Sequence, residues 1–279
     1  MLWKRKARKR KAASEAATVR LDADRFANLT DENVLIGYSS IVGTREDQQD
    51  AMLAERNIEK KYTVAIVCDG MGGMQGGSEA SRTAVEYIAD AVPDIADKEN
   101  LERELLRIVR DADRAVYGLT DAHGNALRAG TTMVMALIRE GLLHWASVGD
   151  SKIYLLKQGV LKCITNEHNY DFMVRQKSGD AGFRYDPNVR KDALVSYLGA
   201  GGLEYVDINQ APVELHDGDM LLLCSDGLYK NLSEETMTEI MQESGDMDEV
   251  AENMTAAALV NARGSQDNTT VIILKYKQR

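Results

Sequence analysis

Short apolar runs separated by turn residues limit the folds open to this chain more than any other feature. The runs have the length of β-strands and lie at 34–40, 62–68, 132–138, 142–148, 153–156, 220–224 and 270–276. Several are separated by short turns, such as the glycine-containing turns at 139–141 and 157–159. Turns of this length connect antiparallel strands, so the sequence predicts antiparallel hairpins.

Between the predicted strands, apolar residues recur at helical spacing. At 101–116 they return every three or four residues, which makes one face of an amphipathic helix. The segment that begins at Ser78 repeats this pattern, and we expect Pro93 to interrupt it. A third helical region, 233–262, contains a break at 244–246.

Hairpins segregated from helices predict an α+β fold, with a central antiparallel β-sandwich flanked by helices on both sides (αββα layers). A doubly wound parallel sheet would need strict alternation of strands and helices, which is absent. We predict a disordered basic tail and linker at 1–30 and one folded domain at 31–279. Within it, 166–196 is the least regular stretch, which is typical of a functional flap or of disorder.

Charge is unevenly distributed along the chain. Residues 1–20 hold eight Lys or Arg and one acid, which leaves 26 basic and 43 acidic residues and a net charge of −17 on the rest. An acidic body disfavours nucleic acid as a substrate and suits a cation site built from carboxylates. For the tail, two interpretations stay open: a solubilising arm, or a contact with an anionic membrane, nucleic acid or partner, with Leu2 and Trp3 as apolar anchors.

The three cysteines, Cys68, Cys163 and Cys224, form no Cys-x-x-Cys pair and lie in or beside apolar runs. This usage predicts a reducing, cytoplasmic location. No secretory leader and no apolar run long enough to span a bilayer are recognisable.

Aspartates stand at the ends of four apolar runs. Asp69 and Asp226 each follow a strand and precede glycine, Asp150 ends another strand, and Asp267 precedes the last one. Carboxylates that converge at one edge of a sheet repel each other unless cations neutralise them. Oxygen ligands without His or Cys favour Mg²⁺ or Mn²⁺. The alternative is that Asp-Gly pairs simply form turns.

Two such cations can activate a water molecule for attack on phosphorus. The phosphate oxygens would then need an arginine, whose planar fork binds two of them, and Arg45 is the natural candidate. A surface ion pair is the alternative for Arg45. The sequence lacks a Gly-Lys P-loop, a complete dinucleotide fingerprint and a Cys-x₅-Arg phosphatase motif.

Taken together in chain order, these pieces resemble the metal-dependent serine/threonine protein phosphatases of type 2C, and most of all their bacterial branch. The resemblance covers roughly residues 32–276. The matching pieces are Gly43-x-Arg45-x-x-Gln-Gln-Asp50, Val67-Cys-Asp-Gly-Met-Gly-Gly73, Gly76 to Ala80-Ser81, Gly130-Thr-Thr132, Ser147-Val-Gly-Asp-Ser151-Lys-Ile-Tyr154, Cys224-Ser-Asp-Gly-Leu228 and Asp267-Asn-Thr-Thr270.

The resemblance implies roles for several of the matched residues and a catalytic domain at 31–279. Asp69 would bridge two Mn²⁺ or Mg²⁺ ions, and Arg45 would bind the substrate phosphate. Gln49 and Asp50 would orient the attacking water from behind the ligands. The remaining ligands would be Asp226, Asp267, the Gly70 carbonyl and, for a weaker third metal, Asp150.

Three departures bear on these roles. Met71 stands where eukaryotic members carry a histidine that protonates the leaving group, which leaves metal-bound water or no dedicated acid. Lys230 stands where members often have aspartate, so it either weakens the third metal site or partly replaces its charge. The flap residues 172–185 match the family poorly. His168 matches a family element beside the flap, and we expect it to be structural.

The leading hypothesis is a cytoplasmic, monomeric enzyme of bacterial signalling that hydrolyses phosphoserine and phosphothreonine in proteins. Its implied partners are phosphoproteins and a cognate serine/threonine kinase. The alternative is a catalytically inactive phosphoprotein-binding module, which predicts a damaged metal set. The three principal carboxylates, Asp69, Asp226 and Asp267, are all present.

Overall fold

The computed structural model describes residues 34–72, 76–180 and 182–278. Twelve strands are assigned within these ranges. They are β1 Val34–Ile41, β2 Asp50–Asn57, β3 Tyr62–Met71, β4 Gly130–Thr131, β5 Met133–Arg139, β6 Leu142–Val148, β7 Lys152–Lys157, β8 Val160–Cys163, β9 Asp207–Ile208, β10 Val213–Glu214, β11 Met220–Cys224 and β12 Thr269–Tyr276.

Two antiparallel sheets form the centre of the fold. The first has the strand order β1-β12-β11-β7-β8, and the second has the order β10-β6-β5-β3-β2, with β4 on β3 and β9 on β6. Side chains from both sheets share one buried cluster, which includes Val67 of β3, Leu223 of β11 and Ile272 of β12. The sheets therefore pack face to face, as the predicted sandwich requires.

Helices cover the outer face of each sheet. Ile66 of β3 belongs to a second buried cluster with α1 (Gly76–Ile95) and α2 (Leu101–Tyr117). Leu222 of β11 belongs to a third cluster with α5 (Glu234–Gln242) and α6 (Met247–Asn261). The αββα layering is confirmed, with α3 (Tyr170–Lys177) and α4 (Asp226–Tyr229) as shorter additions.

The hairpin turns and helix starts follow local sequence chemistry. Glu140 and Gln158 adopt positive φ in front of glycine, which suits tight turns between β5 and β6 and between β7 and β8. Ser233 and Asp246 cap α5 and α6, because their side chains accept hydrogen bonds from backbone N–H groups three residues later. The predicted break between these two helices is therefore confirmed.

The expectation that Pro93 interrupts its helix is wrong. Pro93 lies inside the last turn of α1, which runs on to Ile95. Val92 and Ile95 on either side are almost completely buried, so packing against the sheet holds this turn despite the missing N–H. The irregular stretch 166–196 also contains a helix, α3, which Asn169 caps.

Strand β2 was not predicted, because charged residues interrupt its apolar pattern, and β4, β8, β9 and β10 were not predicted because they are only two to four residues long. The predicted tail at 1–30 lies outside the described residues, so the division into tail and domain stays a prediction. No helix in the described ranges is both long and apolar enough to cross a membrane.

Candidate metal and phosphate site

Five aspartates converge where strands of the two sheets end. Asp50 begins β2 and pairs directly with Asp69 near the end of β3. Asp226 follows β11 by two residues, Asp267 precedes β12 by two, and Asp150 lies in the turn between β6 and β7. The structure therefore brings together every carboxylate that the sequence suggested.

Burial and mutual repulsion raise the pKa values of three of these groups. Burial is the main reason that the pKa of Asp69 stands well above 3.8, and the charges of the other four aspartates add to it. Burial also raises the pKa of Asp50 to about 7 and that of Asp150 to about 6. A cation among these groups would relieve the repulsion and favour the ionised forms.

Two buried carboxylate oxygens at this site have no hydrogen-bond partner, Oδ1 of Asp50 and Oδ1 of Asp226. The second oxygen of Asp50 accepts a 2.7 Å hydrogen bond from Ser225 Oγ, and that of Asp226 pairs with Lys230. Burying a polar oxygen without a hydrogen-bond partner costs free energy. A hard cation bound by these carboxylate oxygens would supply the missing interaction. The donor set therefore fits Mg²⁺ or Mn²⁺.

Within the described ranges, no three His, Cys, Asp or Glu side chains are already arranged around one point as metal ligands. Two of the predicted ligands instead form ion pairs with basic side chains. Asp267 Oδ2 lies 2.7 Å from an Arg45 terminal nitrogen, and Asp226 Oδ2 contacts the Lys230 ammonium. These two basic side chains offset part of the negative charge of the cluster.

Two threonines fix the backbone of Asp69. Thr132 Oγ1 accepts a 3.0 Å hydrogen bond from the Asp69 N–H, and the Asp69 carbonyl accepts from Thr132 N and from Thr131 Oγ1 at 2.9 Å. Both threonines are almost completely buried. They are positioning residues to which the sequence analysis assigned no role, although the Gly130-Thr-Thr132 motif contains them.

Gly70 is required by close backbone packing. A Cβ at Gly70 would stand 2.1 Å from the carbonyl oxygen of Gly77 and 2.6 Å from that of Gln49. The end of β3 therefore lies directly against the start of α1. The resemblance implies that the Gly70 carbonyl is a metal ligand, and the contacts in the structure show that close packing requires the residue to lack a side chain.

Hydrogen bonds hold the loop before β2 in place. Asn268 Oδ1 accepts from the Gln49 N–H at 2.8 Å, and Asn268 Nδ2 donates to the carbonyls of Val42 and Asp47. The carbonyl of Gln49 accepts a 2.6 Å hydrogen bond from Ser81 Oγ. The residues that carry Arg45, Gln49 and Asp50 are thereby tied to β12 and α1.

Arg45 lies at the open side of the acidic cluster, and its side chain is 60% exposed. Only one guanidinium nitrogen takes part in the ion pair with Asp267, so the fork still presents donors outward. An exposed guanidinium beside a carboxylate cluster is placed to meet an incoming phosphate.

A family model described as protein phosphatase 2C matches residues 37–262 of the chain. The serine/threonine phosphatase stp of Listeria innocua is 31% identical over 221 residues, which cover 77% of this chain and 85% of that protein.

Solved structures agree with this match. The S. agalactiae serine/threonine phosphatase superposes with a TM-score of 0.73 at 23% identity, over 88% of this chain and 100% of its own. The catalytic domain of PstP in complex with two manganese ions has a TM-score of 0.70 at 25% identity, with the same coverage.

Proposed function

The chain belongs to the protein phosphatase 2C family and is a metal-dependent serine/threonine protein phosphatase, and from this premise we propose which of its residues carry the reaction. We assign the metal ligands to the aspartate cluster and the substrate phosphate to Arg45. The single observation that supports this assignment best is the convergence of five aspartates, two of which have a buried oxygen without a partner.

The ligands proposed for two Mn²⁺ or Mg²⁺ ions are Asp69, the Gly70 carbonyl, Asp226 and Asp267, and Asp150 would serve a weaker third ion. When bound, such ions lower the pKa of a coordinated water and stabilise charge on the phosphoryl oxygens. Raised pKa values in the cluster support this assignment, because carboxylates held at such cost are typical of functional sites.

Asp50 has a different proposed part. Its Oδ2 is held by Ser225, and its Oδ1 is buried without a partner. A cation bound in the cluster would favour the ionised form of Asp50, and its free Oδ1 could then accept a proton from an attacking water. We therefore assign Asp50, together with Gln49, to orienting that water and holding its proton.

Arg45 is assigned to the phosphate. Its guanidinium can donate hydrogen bonds to two phosphate oxygens, and its ion pair with Asp267 holds it beside the cluster. No side chain is assigned as the acid for the leaving group, since Met71 cannot donate a proton.

The substrate is proposed to be phosphoserine or phosphothreonine in proteins, with a serine/threonine kinase of the same cell as the opposing enzyme. The similarity to bacterial phosphatases supports a role in bacterial signalling. A cytoplasmic location and a monomeric state are proposed from the sequence, as is a contact of the basic tail with an anionic membrane or a partner.

Hydrolysis of a phosphothreonine peptide in Mn²⁺ tests this assignment. The intact chain should turn over, EDTA should abolish turnover, and Asp69→Asn and Asp226→Asn should reduce it to background. The matched control is Asp113→Asn, because Asp113 is a buried aspartate outside the cluster that accepts hydrogen bonds from Gly199 and Gly201. That variant should keep its Mn²⁺-dependent activity wherever it remains folded.

The inactive binding module makes the opposite prediction. It requires that the intact chain bind the phosphopeptide without turnover in Mn²⁺ and Mg²⁺. That result, or full activity in Asp69→Asn, would contradict the proposed site.

A further inference from the structure

His168 lies at the junction between the segment 166–206 and the acidic cluster, and its side chain is completely buried. The ring Nδ1 of His168 accepts a 3.2 Å hydrogen bond from the Gly149 N–H, and the backbone N–H of His168 donates to the Gly149 carbonyl at 2.9 Å. One residue therefore holds both backbone polar groups of Gly149, the residue immediately before Asp150.

Gly149 passes this constraint on to Asp69. Gly149 has φ +97°, and a Cβ there would stand 2.7 Å from Thr132 Cγ2, so the turn lies directly against Thr132. The hydroxyl of Thr132 in turn accepts the hydrogen bond from the Asp69 N–H at 3.0 Å. A shift of Gly149 would therefore displace Asp150 directly and Asp69 through Thr132.

The opposite edge of the His168 ring is held by the segment that ends in β9. Nε2 lies 3.2 Å from Asp207 Oδ1, an electrostatic contact rather than a well-aligned hydrogen bond. The rings of Phe172 and Tyr205 pack against the imidazole with centroids 5.5 Å and 6.1 Å away. Because Nδ1 accepts from Gly149, the proton of the neutral ring is on Nε2, facing Asp207.

The neighbouring residue, Glu167, adds a second tie to the same turn. Its carboxylate lies 2.7 Å from the Lys152 ammonium, which stands 3.8 Å from the centroid of the Tyr229 ring. The Tyr229 hydroxyl donates to the carbonyl of Asp150 at 3.1 Å. Two consecutive residues are thus connected to the turn: His168 contacts Gly149 directly, and Glu167 is linked to Asp150 through Lys152 and Tyr229.

We propose that His168 is a positioning residue of the phosphatase reaction, which holds the Gly149–Asp150 turn in register with Asp69. This inference rests on the proposed metal ligands. It adds to the proposed site a residue that would touch neither metal nor substrate. Residues that orient ligands from behind typically change metal affinity about 10- to 100-fold when replaced.

The test compares two polar replacements with a control at another buried histidine. In His168→Asn, the amide oxygen takes the place of Nδ1 and keeps the acceptor for Gly149. In His168→Gln, the longer amide reaches the position of Nε2 and faces Asp207 instead. The control is His144→Gln, because His144 is also buried and lies 3.3 Å from Glu102 under α2, away from the cluster.

Mn²⁺ dissociation constants are measured by isothermal titration calorimetry on EDTA-treated, dialysed protein, with thermal unfolding alongside. We expect His168→Gln to bind Mn²⁺ about 10- to 100-fold more weakly, with kcat restored by excess Mn²⁺. We expect the Mn²⁺ dissociation constant of His168→Asn to stay close to that of the intact protein. His144→Gln should lose thermal stability without losing Mn²⁺ affinity.

Equal Mn²⁺ affinity in the two His168 variants would overturn the proposal, as would an equal loss of affinity in His144→Gln. These outcomes are distinct from failure of the proposed function, because that failure is seen in other proteins: the intact chain would show no turnover in Mn²⁺ or Mg²⁺, or Asp69→Asn would keep full activity.

Discussion

Replacing Asp50 with asparagine should change stability in opposite directions at pH 4 and at pH 8. The Asp50 side chain is buried, and this burial raises its pKa from 3.8 to about 7. The hydrogen bond from Ser225 and the nearby Thr270 hydroxyl oppose the rise, and the charges of Asp226 and Asp267 add to it. In the folded protein the carboxyl therefore stays protonated to near neutral pH, whereas in the unfolded chain it ionises near pH 4.

The magnitude follows from linkage between protonation and folding. Because the folded state binds this proton more tightly, the stability that Asp50 contributes is fully present below pH 3.8 and is lost as pH rises through 7. The rise in pKa corresponds to about 4 kcal/mol between these limits. Asparagine has no charge and avoids this loss.

Asparagine brings a cost of its own. Ser225 would keep its hydrogen bond to the amide oxygen, so the amide NH₂ would occupy the position of Oδ1, which has no partner. An unsatisfied buried donor costs about 1–3 kcal/mol. The variant should therefore be about 1–3 kcal/mol less stable than the intact protein at pH 4 and about 1–3 kcal/mol more stable at pH 8.

Urea unfolding in EDTA, repeated between pH 4 and pH 8, measures this difference. Asp113→Asn serves as the control, because its amide oxygen can still accept the hydrogen bonds that Asp113 Oδ1 accepts from the N–H groups of Gly199 and Gly201, and its effect on stability should not change sign between pH 4 and pH 8. Added Mn²⁺ at pH 8 should stabilise the intact protein more than Asp50→Asn. An Asp50→Asn variant that remains the less stable protein at pH 8 would refute the reasoning.

Three further changes test packing and phosphate binding. Gly70→Ala should lower the free energy of unfolding by about 3 kcal/mol, because its Cβ would stand 2.1 Å from a backbone oxygen, whereas Gly179→Ala, in open space, should change it little in urea melts. Arg45→Ala should lower kcat/KM for a phosphopeptide about 10- to 100-fold, the worth of a charge-assisted hydrogen bond, and Arg45→Lys should recover only part of it. Ser81→Ala should cost about 0.5–1.5 kcal/mol in thermal or urea unfolding, because the Gln49 carbonyl loses a 2.6 Å hydrogen bond but keeps the one from the Gly70 N–H.

Each of these has a contrary outcome. Equal stability of the two glycine variants would mean that β3 and α1 are not in close backbone contact. Full kcat/KM in Arg45→Ala would remove Arg45 from the phosphate site. Unchanged stability of Ser81→Ala would mean that the loop before β2 does not depend on α1.

Local patterns predicted most of the regular structure. The runs at 142–148 and 220–224 coincide with β6 and β11, because apolar residues between turn signals are sufficient to mark a buried strand. Patterns failed where tertiary packing outweighed them. β2 contains charged residues, yet it pairs with β3 along its whole length. α1 continues past Pro93 because its last turn is buried.

The candidate site divides in the same way. The sequence analysis named the aspartates at the strand ends and assigned Arg45 to phosphate, and the structure places all of them at one edge of the sandwich. The sequence analysis did not identify the supporting residues, such as Thr132, Ser225 and Asn268, whose roles depend on hydrogen bonds between segments far apart in the chain.

By itself, then, the sequence predicted the layered α+β fold and, from the aspartates at strand ends, a candidate site for a divalent metal. These follow from periodicity, turn chemistry and side-chain type, which are local properties. Only the tertiary structure decided that burial raises the pKa of Asp50 to about 7 and that close packing requires glycine at position 70. It alone also decided that His168 accepts a hydrogen bond from Gly149, the residue before Asp150. Burial, electrostatic repulsion and hydrogen bonding depend on distances between segments that are remote in sequence, so no local pattern records them.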